Sequence, residues 1–310
     1  MMGLKTFLIK LLVFIILLFA SDRLAGVALR SLYSQAGDKF ERENYMRDKM
    51  IADVIIMGSS KAAHNYMPSI ISDSLNMTVY NCGQRGNGII YSYGRLATIY
   101  KRYTPKIIIY DVIKSYDIEV NDNSRYLDFL KADYGHNSTV DSLFYALDKN
   151  SKYKMLLNCY QYNSTICDLL INTIIKNRAR FQNDGYFPLN GAKSDFVPST
   201  NCDDSSFCDE QIDSMKVSYL EKLVKEKHKG CFIVFTISPT YTKINPKDYS
   251  IVHAICNRYQ IPLLDYVNDN RFSGKYELFF DGSHLNEKGA DEYSRIVAHD
   301  VKKLICDITQ

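Results

Sequence analysis

Two short motifs, separated by more than two hundred residues, hold side chains able to do chemistry together. The first is Met57-Gly58-Ser59-Ser60, after an apolar run; the second is Asp281-Gly282-Ser283-His284-Leu285-Asn286, near the C-terminus. Between them they offer a serine, a histidine and an acid. A serine hydroxyl is a weak nucleophile until a neighbouring base takes its proton, and the base works best when a carboxylate fixes its tautomer and steadies the imidazolium. A serine of the first motif is the candidate nucleophile, His284 the candidate base and Asp281 its orienting acid. Alone, G-S-S after a strand also reads as a turn with hydroxyl caps, and D-x-x-H also reads as a helix cap beside a surface histidine. His64 lies close to the serine in sequence, whereas His136, His228, His253 and His299 lack an acid at useful spacing.

The elements that must bring these motifs together are visible as apolar, β-branched runs bounded by turn residues: Asp53 to Met57, Thr78 to Cys82, Lys106 to Val112, Cys231 to Ile237 and Ile261 to Tyr266. Runs of this kind predict buried parallel strands. Helical spacing falls between them, over Met67 to Leu75, Ile89 to Arg102, Asp209 to His228 and Tyr249 to Tyr259, and a last helix spans Glu287 to Ile305. Alternating strands and helices predict an α/β fold, a three-layer α/β/α sandwich on a parallel sheet of about five strands. The stretch after Ser60 reads as a polar turn leading to Pro68. A Tyr- and Asn-rich stretch at about 118–205 interrupts the alternation. It reads as a helical insertion between the third and fourth strands, with helices near Ser142 to Leu147 and Lys152 to Lys176, lying over the C-terminal edge of the sheet. Its Tyr134, Tyr145, Tyr160 and Tyr162 could stack on sugar rings or pack the insertion itself.

The second strand is followed by Asn81-Cys82-Gly83-Gln84-Arg85-Gly86-Asn87-Gly88. A dinucleotide fingerprint is absent, and glycines here suit a close approach of backbone N–H groups to an oxyanion. These blocks, in this order, resemble the SGNH or GDSL-like hydrolase superfamily, and within it the membrane-anchored bacterial branch whose first block reads G-S-S. The likeness covers roughly residues 50 to 118 and 229 to 305. It implies a flavodoxin-like fold with Ser60 as nucleophile, Ser59 in place of the usual aspartate, Gly86 as an oxyanion glycine and Asp281 with His284 as the rest of the triad. The family's third block is often G-x-N-D, and here the corresponding stretch is Asp111-Val112-Ile113-Lys114-Ser115-Tyr116-Asp117. Ser115 stands near the position of the missing asparagine. The resemblance implies an esterase or O-acyltransferase, with Ser60, Gly86 and the candidate Ser115 around the oxyanion. No cofactor is implied.

Residues 1–29 open with Lys5 and Lys10 and then the apolar run Leu11 to Ala20, the layout of a signal anchor or signal peptide. The small-residue cleavage candidate Gly26-Val27-Ala28 falls late and behind Asp22 and Arg23, which favours an uncleaved anchor. The remaining 30–310 would then face the periplasm or another extracytoplasmic space, or be secreted if the segment is cleaved. With 38 basic and 35 acidic residues interspersed, nothing argues for nucleic acid. Of the 8 cysteines, Cys202 and Cys208 close a polar loop and form the candidate disulfide, while Cys82, Cys231 and Cys256 read as buried thiols. Cysteine and histidine do not cluster at metal-ligand spacing. The expected substrate is an acylated carbohydrate or other small ester, the acyl group most simply acetyl, with a membrane acyl donor as a candidate partner. Two other readings fit the sequence: a non-catalytic glycan-binding or assembly protein, and a lipid esterase or thioesterase.

Overall fold

The computed structural model describes residues 3–37, 39–121, 124–174, 182–193, 197 and 212–309. The chain separates into two compact units, one made of residues 1–48 and 124–179 and the other of residues 49–123 and 180–310.

The first unit is helical. Helix α1 (Leu4–Gln35) is long and apolar enough to cross a membrane, and its side chains from Leu4 to Phe19 are exposed on every face. Beyond them Tyr33 and Ala36 turn inward to a small core with Phe40, Tyr162 and Leu169. Phe40 lies on α2 (Lys39–Asp48), whose sequence KFERENYMRD is mostly charged and gives no apolar stripe to read in advance. The rest of this unit comes from the insertion. Where one helix is expected over Lys152 to Lys176 there are three pieces: α8 (Ser151–Lys154), a 3₁₀ turn (Asn158–Tyr162) and α9 (Ile166–Ile174). The break has a local cause. The amides of Asn158 and Cys159 donate to the Asp22 carboxylate at 2.8 and 3.0 Å instead of to carbonyls one turn earlier. Helix α7 (Ser138–Leu147) is capped by the Asn137 side chain. Tyr162 is buried against Tyr33, Tyr134 packs edge-on to Phe144, Tyr145 is exposed, and Tyr160 lines a cavity of about 390 Å³.

The second unit is an α/β/α sandwich on an all-parallel five-stranded sheet. Strands β1 (Val54–Gly58), β2 (Val79–Asn81), β3 (Ile107–Asp111), β4 (Phe232–Ile237) and β5 (Leu263–Asp265) lie in the order β2-β1-β3-β4-β5. The central strands VIIMG and IIIYD are fully buried, as expected of strands covered on both faces. Each completely buried isoleucine among them contributes about 1.5–3 kcal/mol of transfer free energy. Alternation along the strands sends Val54, Ile56, Ile107 and Ile109 to one face. There they form a core with Tyr293, Val297 and Val301 of the last helix, α12 (Glu287–Thr309). Helices α3 (Ser60–Asn65) and α4 (Pro68–Leu75) contact α12, while α5 (Ile89–Tyr100), α10 (Ser214–Lys225) and α11 (Ser250–Tyr259) contact one another in sequence. Cys82, Cys231 and Cys256 are buried. Cys202 and Cys208 lie outside the described residues.

The strand order reverses between β1 and β3, and open α/β sheets bind ligands at the carboxyl ends of the strands flanking such a point. Gly58 and Asp111, the last residues of β1 and β3, are partners in register there. Gly58 has φ +134°, and a Cβ on it would lie 2.5 Å from the Asp111 carbonyl oxygen. Only glycine fits.

Candidate active site

Ser60 is followed by a helix where a polar turn is expected. It is the first residue of α3, whose sequence SKAAHN makes barely more than one turn of helix after β1. So short a helix has little propensity of its own, and its carbonyls need partners from outside. The Asn81 side chain at the end of β2 donates to the carbonyls of Ala62 and Tyr66 at 2.7 and 3.0 Å and accepts from the Gly83 amide at 2.9 Å. Gly83 lets this loop lie against α3, since a Cβ there would be 2.5 Å from the Ala63 nitrogen.

The other half of the site is a tight loop between an isolated bridge and α12. Phe279 pairs antiparallel with Leu285, and the Phe280 amide donates to the His284 carbonyl at 2.9 Å. Within the loop the Asp281 Oδ1 accepts from the amides of Ser283 and His284, both at 2.9 Å. Asn286 caps α12 by accepting from the Gly289 amide at 3.0 Å, and its own amide group donates to the Glu277 carbonyl at 3.0 Å. The loop is fixed to α3 by Asn65, whose Oδ1 accepts from the Leu285 amide at 3.0 Å in a fully buried contact. One short helix therefore carries both the serine and the side chain that docks the histidine loop.

The three predicted residues come together. The Ser60 hydroxyl donates to His284 Nε2 at 2.8 Å, and His284 Nδ1–H donates to both Asp281 oxygens at 2.9 and 3.0 Å. Burial pushes the Asp281 carboxyl up, but the hydrogen bond and charge of His284 and the two loop amides outweigh it and hold the group at about 2. Asp281 is thus an anion, and accepting the Nδ1–H of His284 leaves the Nε2 lone pair facing the Ser60 hydroxyl. That tautomer is the one a serine base requires.

Gly86 lies in a turn closed by the Asn87 amide donating to the Gln84 carbonyl, and takes φ +72°, a left-handed conformation that suits glycine. The same loop is tied to the end of β1 where the Gln84 amide donates to the Gly58 carbonyl at 2.9 Å. Ser115 sits apart. It is exposed on the four-residue helix α6 (Lys114–Asp117), and its carbonyl accepts from Lys216 and Asn121. Among the described residues no hydrogen bond links it to Ser60 or His284. Ser59 is fully buried as the N-cap of α3.

Several residues around the site carry no sequence signal of their role. His64 packs edge-on to His284 with ring centroids 5.4 Å apart and donates through Nδ1 to the Phe187 carbonyl at 2.8 Å. Burial lowers its pKa to about 4, with His284 and Arg85 pushing the same way, so His64 is neutral near pH 7. Phe187 belongs to residues 182–193, a part of the insertion that runs with the second unit: the Phe187 amide donates to the Ala63 carbonyl, and the Lys193 amide to the Phe280 carbonyl. Arg85 lies over the Phe187 ring at 5.7 Å and is exposed.

Next to the serine, two ionisable side chains are buried and bind the same residue, Ser238. Lys61, the residue after Ser60, is almost wholly buried and donates to the Ser238 carbonyl at 3.2 Å. Asp111 Oδ1 accepts from the Ser238 hydroxyl at 2.8 Å, the Ser238 amide at 3.0 Å and the Tyr66 hydroxyl at 3.0 Å. Burial lowers the Lys61 pKa and raises that of Asp111, while each one's charge opposes the other's shift. Tyr66 extends the network to Thr236 at 2.7 Å and to Tyr293 of α12 at 3.1 Å. No protein-family model matches the chain, and no curated protein matches it.

Proposed function

We propose that this protein is an extracytoplasmic serine esterase or O-acyltransferase, acting on acyl esters, most simply acetyl esters, of envelope or exported glycans. The observation that carries the reading is the unbroken relay from the Ser60 hydroxyl through His284 to the Asp281 carboxylate, at hydrogen-bond distance throughout. Ser60 attacks the ester carbonyl as its proton passes to His284 Nε2. The imidazolium so formed faces a carboxylate that stays ionised far below neutral pH. The tetrahedral oxyanion is held by the amides of Ser60 and Gly86. Collapse returns the proton from His284 to the leaving alcohol, leaving an acyl group on Ser60. Water or a sugar hydroxyl, deprotonated by the same imidazole, then takes the acyl group.

The apolar helix α1 supports attachment to a membrane, with the positive N-terminal end inside and the folded part outside. A membrane acyl donor is the matching partner if transfer is the physiological direction. The test is Ser60→Ala in the full chain, assayed on short p-nitrophenyl esters, together with mass spectrometry of an acyl adduct. Wild-type protein should carry a mass increment on Ser60 after exposure to a fluorophosphonate, and the variant should lose both labelling and turnover. Full activity in Ser60→Ala would sink the proposal.

A further inference from the structure

The first unit contains a feature unrelated to the relay. The stretch of α1 from Leu4 to Ala20 is roughly 25 Å long at about 1.5 Å per residue, short of the roughly 30 Å of hydrocarbon a span must cross. The next turn would complete the span, but it holds Asp22 and Arg23. Neither charge faces outward unpaired. Asp22 accepts from the amides of Asn158 and Cys159, and Arg23 donates to the Asn158 side chain at 2.6 Å and to the Leu156 carbonyl. Gly26 allows this close seating, since a Cβ on it would lie 2.3 Å from the Cβ of Asn158. Ionisable groups at membrane depth are tolerated when they pair with protein in this way.

The segment that satisfies these charges is itself apolar on its outer side. Tyr153, Leu156 and Leu157 are 62, 60 and 51 % exposed, and Leu24 and Val27 of α1 are exposed as well. Helix α9 buries Leu169 against Leu29 and Tyr33 and leaves Leu170, Ile171 and Ile174 in the open. Beside the first patch, Lys149, Lys152 and Lys154 are exposed. Lys154 pairs with Asp148, and Lys149 and Lys152 lie near the ring of Tyr145. Apolar side chains with a tyrosine and a lysine cluster at the end of an apolar helix match the interfacial region of a bilayer, where rings and ammonium groups meet the headgroups.

We propose that the insertion is a membrane-interface module: Leu156 and Leu157 lie in the outer leaflet beside α1, and their loop shields Asp22 and Arg23 so that the span runs through the charged turn. The occupant of this surface is lipid. It follows that α1 is retained, because cleavage at Gly26-Val27-Ala28 would remove the partners of Asn158, Cys159 and Leu156.

The chain contains no tryptophan, so one introduced indole reports alone. Leu157→Trp and Leu156→Trp, with Phe14→Trp as the span control, are placed one at a time in the full chain. The variants are reconstituted into vesicles of phosphatidylcholine and phosphatidylglycerol. Emission from positions 156 and 157 should be blue-shifted and quenched by lipids brominated along the acyl chain, to at least half the extent seen for Phe14→Trp. Water-like emission, quenched by aqueous iodide and not by brominated lipid, overturns the proposal. Protection from both quenchers that disappears on diluting the protein in lipid assigns the surface to a second copy of the chain and overturns it equally.

Discussion

Replacing Asp281 by Asn tests the relay at the bond that sets the tautomer. The asparagine carbonyl can keep the place of Oδ1, which accepts from the amides of Ser283 and His284 at 2.9 Å, so the loop retains its shape. The change falls on the second oxygen, 3.0 Å from His284 Nδ1. An NH₂ group there donates towards Nδ1, and the retained carbonyl, 2.9 Å from Nδ1, is uncharged and already accepts from two amides, so the balance shifts to the imidazole with its proton on Nε2, facing Ser60. The lone pair that should take the serine proton is then lost. A wrong-tautomer histidine in a serine relay costs about 10⁴-fold in kcat, or about 5.4 kcal/mol of transition-state stabilisation. Stability should fall far less. The native carboxyl titrates at about 2 against an ordinary 3.8, a difference equivalent to at most about 2.4 kcal/mol. The Asp281 side chain is 30 % exposed, which screens the contribution to roughly 1 kcal/mol. Because the folded pKa is depressed, this contribution is present above about pH 4 and is lost as pH falls towards 2. Initial rates on p-nitrophenyl acetate at pH 7 and chemical denaturation at pH 7, 4 and 2 measure both quantities in one preparation. Asp281→Asn retaining more than a tenth of wild-type turnover would refute the assignment of acid and base. So would a loss of turnover fully accounted for by unfolding at pH 7.

Asn65→Ala should remove the bond that docks the histidine loop on α3, costing about 1–3 kcal/mol through the unpartnered Leu285 amide. Turnover should fall at unchanged KM, and fluorophosphonate labelling of Ser60 should slow in step, as read by burst kinetics. Lys61→Met should remove the buried charge that holds the Asp111 pKa down and the donor to the Ser238 carbonyl, destabilising the fold by about 1–3 kcal/mol in thermal unfolding. Asp111→Asn added to it should recover at least half of that loss, a rescue that independent effects would not give.

Much of the second unit was legible because its strands are short apolar runs bounded by turn residues, and a strand buried on both faces leaves little else to be. The expected runs Lys106 to Val112 and Cys231 to Ile237 differ from β3 and β4 only at their ends. Asp281 and His284 were legible as a pair because they share one tight loop. What stayed hidden depends on partners distant in sequence. SKAAHN is too short to show helical periodicity and is held by Asn81. Lys61 is buried by a partner, the Ser238 carbonyl, that no sequence window around it contains. Ser115 was suggested by block order, but the structure puts it on an exposed four-residue helix with its carbonyl turned to other partners. The expected helix over Lys152 to Lys176 is broken by Asp22, which no window around residue 158 contains.

The Ser60–His284 bond closes a loop of 224 residues, and the histidine loop is held in turn by the final helix. On a chain made N-terminus first, Ser60 is laid down more than two hundred residues before His284. A nascent chain, or one cut short before Asp281, therefore displays Ser60 without the imidazole it bonds to. For the proposed relay the order of synthesis acts as a timer: Ser60 meets its base only after Asp281 and His284 have been made.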